Sequence, residues 1–177
     1  MVTAKSLLLK LLVSNPLNVN VDAINVEQAY CLALNVYHEA RGESVAGQIA
    51  VANVTLNRVA HPKYPNTLCD VVKDATAFRG HNLPEINQCA FSWYCDGKPD
   101  RVYLYRKGQL NKTNAKAFVN AASVSILAIE SKLPDNTHGA THYYNHHLVS
   151  PYWKHYYPVT RVIGQHTFLM RTEDNLR

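Results

Sequence analysis

The chain has 177 residues, of which 47% are hydrophobic and 18% are charged, and this length fits one globular domain with a sizeable core. No stretch reaches the roughly 18 apolar residues that a membrane-spanning helix needs, so we expect no stable membrane insertion. The formal net charge of +5 and the pI near 9.0 suit a polyanionic partner, but their sign alone does not choose between nucleic acid, an anionic membrane surface and an acidic polymer.

The first predicted element is a short helix around the leucine-rich run at residues 7–13. Lys10 interrupts this run, and no small-residue cleavage site follows a long apolar region, so the segment makes a poor signal peptide. We expect the helix to pack on the domain or to cap it, as part of an extension over residues 1–25. The main domain then covers residues 26–177.

Apolar side chains recur at helical spacing from residue 26, at positions 29, 32, 33, 36, 37 and 40, and Gly42 breaks the pattern. Glu39 therefore lies at the C-terminal end of a predicted helix. The negative end of the helix dipole and partial desolvation by Tyr37 and other aromatic side chains should both raise the pKa of Glu39. A glutamic acid with a raised pKa suits general-acid catalysis near neutral pH. The plain alternative is a surface glutamate at the end of a helix.

Two further helices are predicted before the middle of the chain. One covers residues 45–60, with Ser44 as its N-cap and the His-Pro pair at 61–62 as its end. Its polar residues Asn53, Asn57 and Arg58 lie away from the apolar stripe. Thr67 then begins a capping box for a short helix that runs through residue 73.

The rest of the chain predicts loops, one long helix and short strands. Residues 76–112 are rich in Gly, Pro, Asn, Cys and aromatic residues, which favours an ordered loop region along one side of a cleft. Residues 114–132 predict a helix, and the alternation of aromatic and polar residues over 140–171 predicts short strands. The fold class is therefore α+β, mainly helical, with a small β element.

The four cysteines allow three pairings, and their spacing does not select one. Cys31 lies on a helix with a half-buried pattern, which favours an inert core thiol. Cys89 and Cys95 could close a small loop if the protein works outside the reducing cytosol. A zinc site is a third alternative, but it lacks the usual Cys-x-x-Cys spacing.

Nine histidines raise the possibility of a metal site, especially His138, His142, His146 and His147. A His-Glu-x-x-His zinc helix starting at His38 would need a second histidine at position 42, which is glycine. We therefore predict no metal and no cofactor. Glu43 would share a face with Glu39 only if the helix continued through Gly42, so we favour a helix-capping role for Glu43 or an ion pair with Arg41 or Arg58.

Several sequence blocks occur in a fixed order between about residue 28 and residue 169. They are Tyr-His-Glu-Ala-Arg-Gly-Glu at 37–43, Gly-Gln-Ile-Ala-Val-Ala-Asn-Val at 47–54, Leu-Asn-Arg-Val at 56–59, Tyr-Pro-Asn-Thr at 64–67, Leu-Cys-Asp-Val-Val at 68–72, Phe-Ser-Trp-Tyr-Cys-Asp-Gly-Lys at 91–98, Gly-Ala-Thr-His-Tyr-Tyr at 139–144, Ser-Pro-Tyr-Trp at 150–153 and Ile-Gly-Gln-His-Thr-Phe at 163–168. Together they resemble the spore cortex-lytic, or SleB-type, family of cell wall hydrolases. One departure is Ala90, where the family usually has glutamine before Phe-Ser-Trp; Gln88 lies two positions earlier.

The resemblance implies a lysozyme-like catalytic domain over residues 26–177 that cuts the glycan strands of peptidoglycan, with Glu39 as the catalytic acid. It also implies lytic transglycosylase activity, which leaves a 1,6-anhydromuramic end. A single acid suffices for that reaction because the sugar supplies its own nucleophile. Aromatic rings suit the walls of a sugar groove, although Phe91 fits the core better. The predicted substrate-binding residues are Trp93, Ser92, Tyr143, Tyr144, Asn145 and Glu43.

Two classes of function follow from these observations. The first is a peptidoglycan-cleaving enzyme, with a zinc-dependent wall amidase as its enzymatic rival. The second is a non-catalytic module that binds wall glycan or nucleic acid, favoured only by the basic balance. We favour the enzyme, with peptidoglycan and no nucleic acid as its partner, and we expect a monomer. The compact chain suggests a phage-type endolysin that stays in the host cytoplasm until it is released to the wall.

One segment concentrates the positive charge. Six basic residues fall between positions 98 and 116 against one acid, Asp100; they are Lys98, Arg101, Arg106, Lys107, Lys112 and Lys116. The cluster could engage an anionic polymer, or it could be a solvated face.

Overall fold

The computed structural model describes residues 2–77 and 84–172. Within these ranges the helices are α1 (Ala4–Ser14), α2 (Val26–Ala40), α3 (Val45–Ala60), α4 (Leu68–Val72) and α5 (Lys112–Ile129). Helix α2 is central and contacts each of the other four. No helix in this part of the chain is both long and apolar enough to cross a membrane.

The main hydrophobic core surrounds α2. Leu32 and Val36 of α2 are buried against the side of α5 that carries Phe118. Helix α1 adds Leu8 and Leu12 to this core and packs mainly on α5. Burying each such side chain contributes roughly 1.5–3 kcal/mol, so α1 is held by the same core as the rest of the chain.

Polar caps set where the helices begin. The side chains of Ser44 and Thr67 accept hydrogen bonds from the backbone N–H groups of Gly47 and Asp70, which confirms both predicted N-caps. Helix α5 begins two residues earlier than predicted because Asn111 caps it, and it ends three residues earlier, at Ile129.

The strands form three small antiparallel sheets in the described chain. They are β1 (Ala75–Ala77) with β2 (Pro84–Cys89), β3 (Tyr105–Arg106) with β4 (Gln109–Leu110), and a three-stranded sheet in the order β5-β7-β6, from β5 (His142–Asn145), β6 (Val159–Ile163) and β7 (His166–Leu169). The predicted loop region therefore holds two short β-hairpins, while its residues 78–83 lie outside the described residues. The strands predicted near the C-terminus are confirmed, and so is the mainly helical α+β class.

The polar side of α3 is buried, contrary to what its apolar stripe suggests. Asn53 and Arg58 are 5% and 7% exposed. Asn53 donates to the backbone carbonyl of Pro134, and Asn57 donates to that of Ala140. The segment before β5 lies over this face, so its carbonyl groups need donors from α3.

Both cysteine pairs are disulfide-bonded, Cys31 with Cys69 and Cys89 with Cys95. The prediction of an inert core thiol at Cys31 is wrong, because α4 brings the Cys69 Cα to 5.2 Å from the Cys31 Cα. Cys89 and Cys95 close the small loop that the sequence left open as one alternative. All four sulfur atoms are thus engaged, which leaves no thiolate for the zinc alternative.

Candidate active site

Glu39 meets a tyrosine from the three-stranded sheet. It is the next-to-last residue of α2, and Tyr143 is the second residue of β5. The Tyr143 hydroxyl donates a hydrogen bond of 2.7 Å to Glu39 Oε2. Glu39 is half-buried, and the tyrosine fixes the orientation of its carboxyl group.

Burial raises the pKa of Glu39 above its ordinary value, while the Tyr143 hydrogen bond and the Arg58 charge act in the opposite direction. The predicted direction is therefore confirmed, and burial is its main cause. Tyr37, expected to shield Glu39, instead packs its ring on Phe118 in the core. Burial and the neighbouring carboxylate raise the pKa of Tyr143 well above its usual value, so this hydroxyl stays protonated and acts as a donor.

Arg58 is a buried cation beside this pair. Its Nε donates to the Thr141 carbonyl at 2.7 Å, and its guanidinium lies 4.8 Å from the centre of the Phe91 ring. Phe91 is 2% exposed, in agreement with its predicted place in the core. The Arg58 charge favours the ionised form of Glu39. Arg58 was not among the predicted site residues, because helical spacing places it on the polar side of α3.

Trp93 is tied to α2 one turn before Glu39. It lies in the short 3-10 helix Ser92–Cys95, and its indole N–H donates to Asn35 Oδ1 at 2.9 Å. Asn35 in turn donates to the Thr55 hydroxyl of α3. Since residues four apart share a helix face, Trp93 lies on the same side of α2 as Glu39. Ser92 is exposed at the start of the 3-10 helix.

His38 forms the other side of the Trp93 environment. The two rings stack with centroids 4.5 Å apart. Burial lowers the pKa of His38 to about 4, and the Arg41 charge acts in the same direction. His38 is therefore neutral near neutral pH and packs on Trp93 as an uncharged ring.

Tyr144 and Asn145 lie further from the carboxyl group. Alternation along β5 turns Tyr144 to the opposite face from Tyr143, where it meets Trp153 edge-on with centroids 5.9 Å apart. Asn145 shares the face of Tyr143 but donates to Gln165 Oε1 at 3.2 Å. Of the predicted residues of β5, it is Tyr143 that reaches Glu39, through its hydroxyl group.

Glu43 lies in the turn between α2 and α3, and Oε1 is 3.9 Å from His166 Nδ1 on β7. Burial lowers the pKa of His166, so near neutral pH this is a contact with an uncharged ring. No ion pair joins Glu43 to Arg41 or Arg58 in the described chain, so that expected pairing is wrong. The physical reason is that α2 ends at Ala40 and the turn directs Glu43 toward the β6–β7 turn. A Cβ atom on Gly164 would come within 2.9 Å of Glu43 Oε2, the movable end of that side chain, and Gly164 has φ +56°, so it is the backbone that favours glycine here.

The histidines named as possible metal ligands are engaged separately. The His142 ring stacks on Tyr157 at 4.3 Å, and His146 Nδ1 is 3.2 Å from the Thr167 hydroxyl. Among the described residues, no group of three or more His, Cys, Asp or Glu side chains is arranged to hold a metal ion.

A cavity of about 520 Å³ opens beside Tyr143. Gln88 and Ala90 both line it, together with Arg58 and Trp153. Gln88 thus lines the same cavity as Ala90, which stands where the family usually has glutamine. Gln88 can therefore supply a polar group in this cavity. A second cavity, of about 320 Å³, is lined by Trp93 and His38.

Part of the chain matches a known protein family. The model described as "Cell Wall Hydrolase" matches residues 42–169. This range includes Tyr143, Trp93 and Arg58, and it begins three residues after Glu39.

Known relatives agree with this match. The spore cortex-lytic enzyme of Bacillus cereus is 31% identical over 137 residues, which are 77% of this chain and 42% of that enzyme. The one from Bacillus subtilis (strain 168) is 30% identical over 77% of this chain and 35% of its own length. The chain thus spans about two fifths of the curated relatives that it matches.

One solved structure shares the fold. It is the catalytic domain of the germination-specific lytic transglycosylase SleB from Bacillus anthracis, with 29% sequence identity and a TM-score of 0.54. The match covers 84% of this chain and 98% of that domain. The predicted lysozyme-like α+β fold is confirmed by this likeness.

Proposed function

We propose that this chain, which belongs to the cell wall hydrolase family, cleaves the MurNAc–GlcNAc linkage of peptidoglycan glycan strands as a lytic transglycosylase. The observation that carries the proposal is the hydrogen bond of 2.7 Å between Tyr143 and Glu39. It joins a carboxyl group of raised pKa to Tyr143, which lines the cavity that we assign to the sugar chain. The likeness to a domain named as a lytic transglycosylase supports the same activity.

In the proposed reaction Glu39 acts first as an acid and then as a base. Its proton passes to the glycosidic oxygen while the C1–O bond of the muramic residue breaks, and the GlcNAc residue leaves with a free hydroxyl. The Glu39 carboxylate then takes the proton of the muramic C6 hydroxyl as O6 forms a bond to C1. The enzyme regains its starting proton, and the product is a 1,6-anhydromuramic end.

Tyr143 has a defined part in this cycle. Because its hydroxyl donates to Oε2, we place the acidic proton of Glu39 on the other carboxyl oxygen, Oε1. After proton transfer, the same hydrogen bond and the nearby Arg58 charge stabilise the carboxylate. The cycle requires no second carboxylate, unlike ordinary glycoside hydrolysis.

Product analysis tests the proposal. Purified peptidoglycan is digested and the fragments are identified by mass spectrometry. We expect anhydromuramic ends. Reducing muramic ends would indicate hydrolysis, with Glu43 as the first candidate for a second carboxylate, and cleavage of the lactyl–peptide bond would indicate an amidase. Binding without any cleavage would indicate a non-catalytic wall-binding module.

The biological role that we assign is a bacteriolytic endolysin. In this role the protein stays in the host cytoplasm until another protein lets it reach the wall. The two disulfides support action outside the reducing cytosol, because such bonds persist in oxidising compartments. The names of the relatives favour spore cortex as a second substrate. Lysis rates on vegetative sacculi and on isolated cortex would separate the two roles.

A further inference from the structure

Residues that line the cavity beside Tyr143 carry hydrogen-bond donors that have no acceptor within the described chain. Three buried polar atoms on its lining residues lack a hydrogen-bond partner within the described chain: Arg58 Nη1, Tyr64 Oη and Arg171 Nε. The two arginine nitrogens can only donate hydrogen bonds, and the tyrosine hydroxyl can donate one as well. Unpaired buried donors are costly, so three of them around one cavity point to a ligand that supplies acceptors.

The two arginines are held in place by neighbouring groups. Their guanidinium carbons lie 5.5 Å and 5.7 Å from the centre of the Tyr64 ring. Both also connect to Thr141, since Arg58 Nε donates to its carbonyl and the Arg171 backbone N–H donates to its hydroxyl. Thr141 is two residues before Tyr143, so the arginines are fixed relative to the proposed proton donor.

The charges around the cavity favour an anion. Arg58 and Arg171 face it, and Asp74 is the acidic residue among its described lining. His142 also lines it, and burial together with the two arginine charges lowers the pKa of this histidine to about 4, so it is neutral near neutral pH. The described lining therefore carries a net positive charge. Guanidinium groups bind carboxylates with strong, directional hydrogen bonds.

We propose that this cavity is a carboxylate-binding subsite that receives an acidic group carried by the muramic residue of the strand. The inference rests on the proposed glycan cleavage, and it deepens that function by naming a substrate requirement. The carboxylate is either the lactyl group of muramic acid without peptide or a carboxylate of the attached peptide. In both cases Arg58 and Arg171 hold the muramic unit next to Glu39.

Binding of small fragments tests the subsite without any cleavage. The parent protein is titrated, with NMR detection, with N-acetylmuramic acid, with its lactyl methylamide and with N-acetylmuramoyl-L-alanyl-D-glutamic acid. Because hydrogen bonds to charged groups are the strong ones, we expect at least one acid to bind about tenfold more tightly than the methylamide. The tighter acid identifies the source of the carboxylate. Equal binding of all three fragments overturns the proposal.

Variants test whether the preference for the acid arises in this cavity. Arg171→Gln removes one cation, and Tyr64→Phe removes the unpaired hydroxyl while keeping the ring; each should reduce the preference for the acid. Arg161→Gln, on exposed β6, is the matched control and should keep it. If Arg171→Gln keeps the full preference, the assignment to this cavity is wrong.

Cleavage assays separate this inference from the proposed function. Strands with native carboxylates are compared with strands whose carboxylates have been converted to methylamides. We expect the parent protein to cut native strands about tenfold faster, in line with a charge-assisted contact. Equal rates on both strands would remove the subsite and leave the cleavage activity in place. No cleavage of either strand would contradict the proposed function, and the fragment titration would still decide the subsite.

Discussion

The proton donor of the proposed reaction is one carboxyl group, that of Glu39. We expect Glu39→Gln to lower glycan cleavage by about 100-fold or more, in the range typical of a lost general acid. The variant should fold, because the two side chains are nearly equal in shape. Because burial raises the pKa of Glu39, folding favours its neutral form, and stability is lost as pH rises through the folded pKa. The neutral amide should therefore unfold no more easily than the parent near neutral pH.

The matched control for this variant is Glu27→Gln. Glu27 lies in the first turn of the same helix, is exposed and pairs with Lys5. Its replacement should leave cleavage close to the parent rate. Activity of Glu39→Gln above about a tenth of the parent would exclude Glu39 as the acid.

Tyr143, the hydrogen-bond partner of Glu39, should affect the pH dependence of cleavage. The Tyr143 hydroxyl stabilises the Glu39 carboxylate and so lowers the pKa of Glu39. Tyr143→Phe removes this hydrogen bond, and the pKa should rise further. Since the protonated acid is the active form, the alkaline limb of kcat/KM should move to higher pH. A limb that stays in place or moves to lower pH would contradict the assigned contact.

Part of this site could be predicted from the sequence, and part could not. The position of Glu39 follows from helical spacing and the break at Gly42. Its contact with Tyr143 joins residues 104 positions apart in the sequence, and local sequence patterns do not predict a contact across such a separation. The burial of Arg58 could not be predicted either. The spacing of residues within α3 does not show that the segment before β5 covers the polar side of this helix.

At the scale of elements, the two disulfides differ in the length of chain they close. Cys31–Cys69 joins α2 to α4 across 38 residues, while Cys89–Cys95 spans six. In the chain-entropy model, these lengths correspond to about 4 and about 2 kcal/mol of stability. Replacing Cys31 and Cys69 with serine should therefore lower the free energy of unfolding more than the same change at the other pair.

Urea unfolding of the two double-serine variants measures this difference. Helix α2 carries Glu39, so loosening its link to α4 should also lower cleavage at a given temperature. The parent with both disulfides is the reference for each variant. If the pair at 89 and 95 proves the more costly to remove, local packing rather than loop closure sets the contribution of these bonds.

The elements themselves were predicted to different extents. The long helices were predictable from the spacing of their apolar residues and from their caps. The C-terminal strands were predictable from the alternation of aromatic and polar residues. The β1–β2 and β3–β4 hairpins were not predictable in this way, because β1, β3 and β4 have two or three residues each and the sequence of β2 does not alternate between apolar and polar residues. The Cys31 pairing was missed because it depends on where α4 lies against α2, which is a tertiary property.

At the scale of the whole molecule, positive charge gathers on one surface. Arg106, Lys107 and Lys112 are exposed around the β3–β4 hairpin and line a common surface cavity of about 490 Å³. Clustered charge raises the encounter rate with a polyanion and is screened over a Debye length of about 8 Å at physiological salt. Lysis of intact envelopes should therefore fall as salt rises, and neutralising these three residues should flatten the dependence.

A variant that loses the same charge from other parts of the surface is the control for the expected salt dependence. Lys10, Lys63 and Arg161 are exposed and lie on α1, after α3 and on β6, so their triple glutamine variant loses the same charge from scattered positions. If location matters, this variant keeps a steeper salt dependence than the hairpin variant. Short uncharged glycan fragments should be cut equally by both, because the catalytic pair lies outside the hairpin. Identical salt curves for the hairpin variant and the parent would show that the cluster is a solvated face.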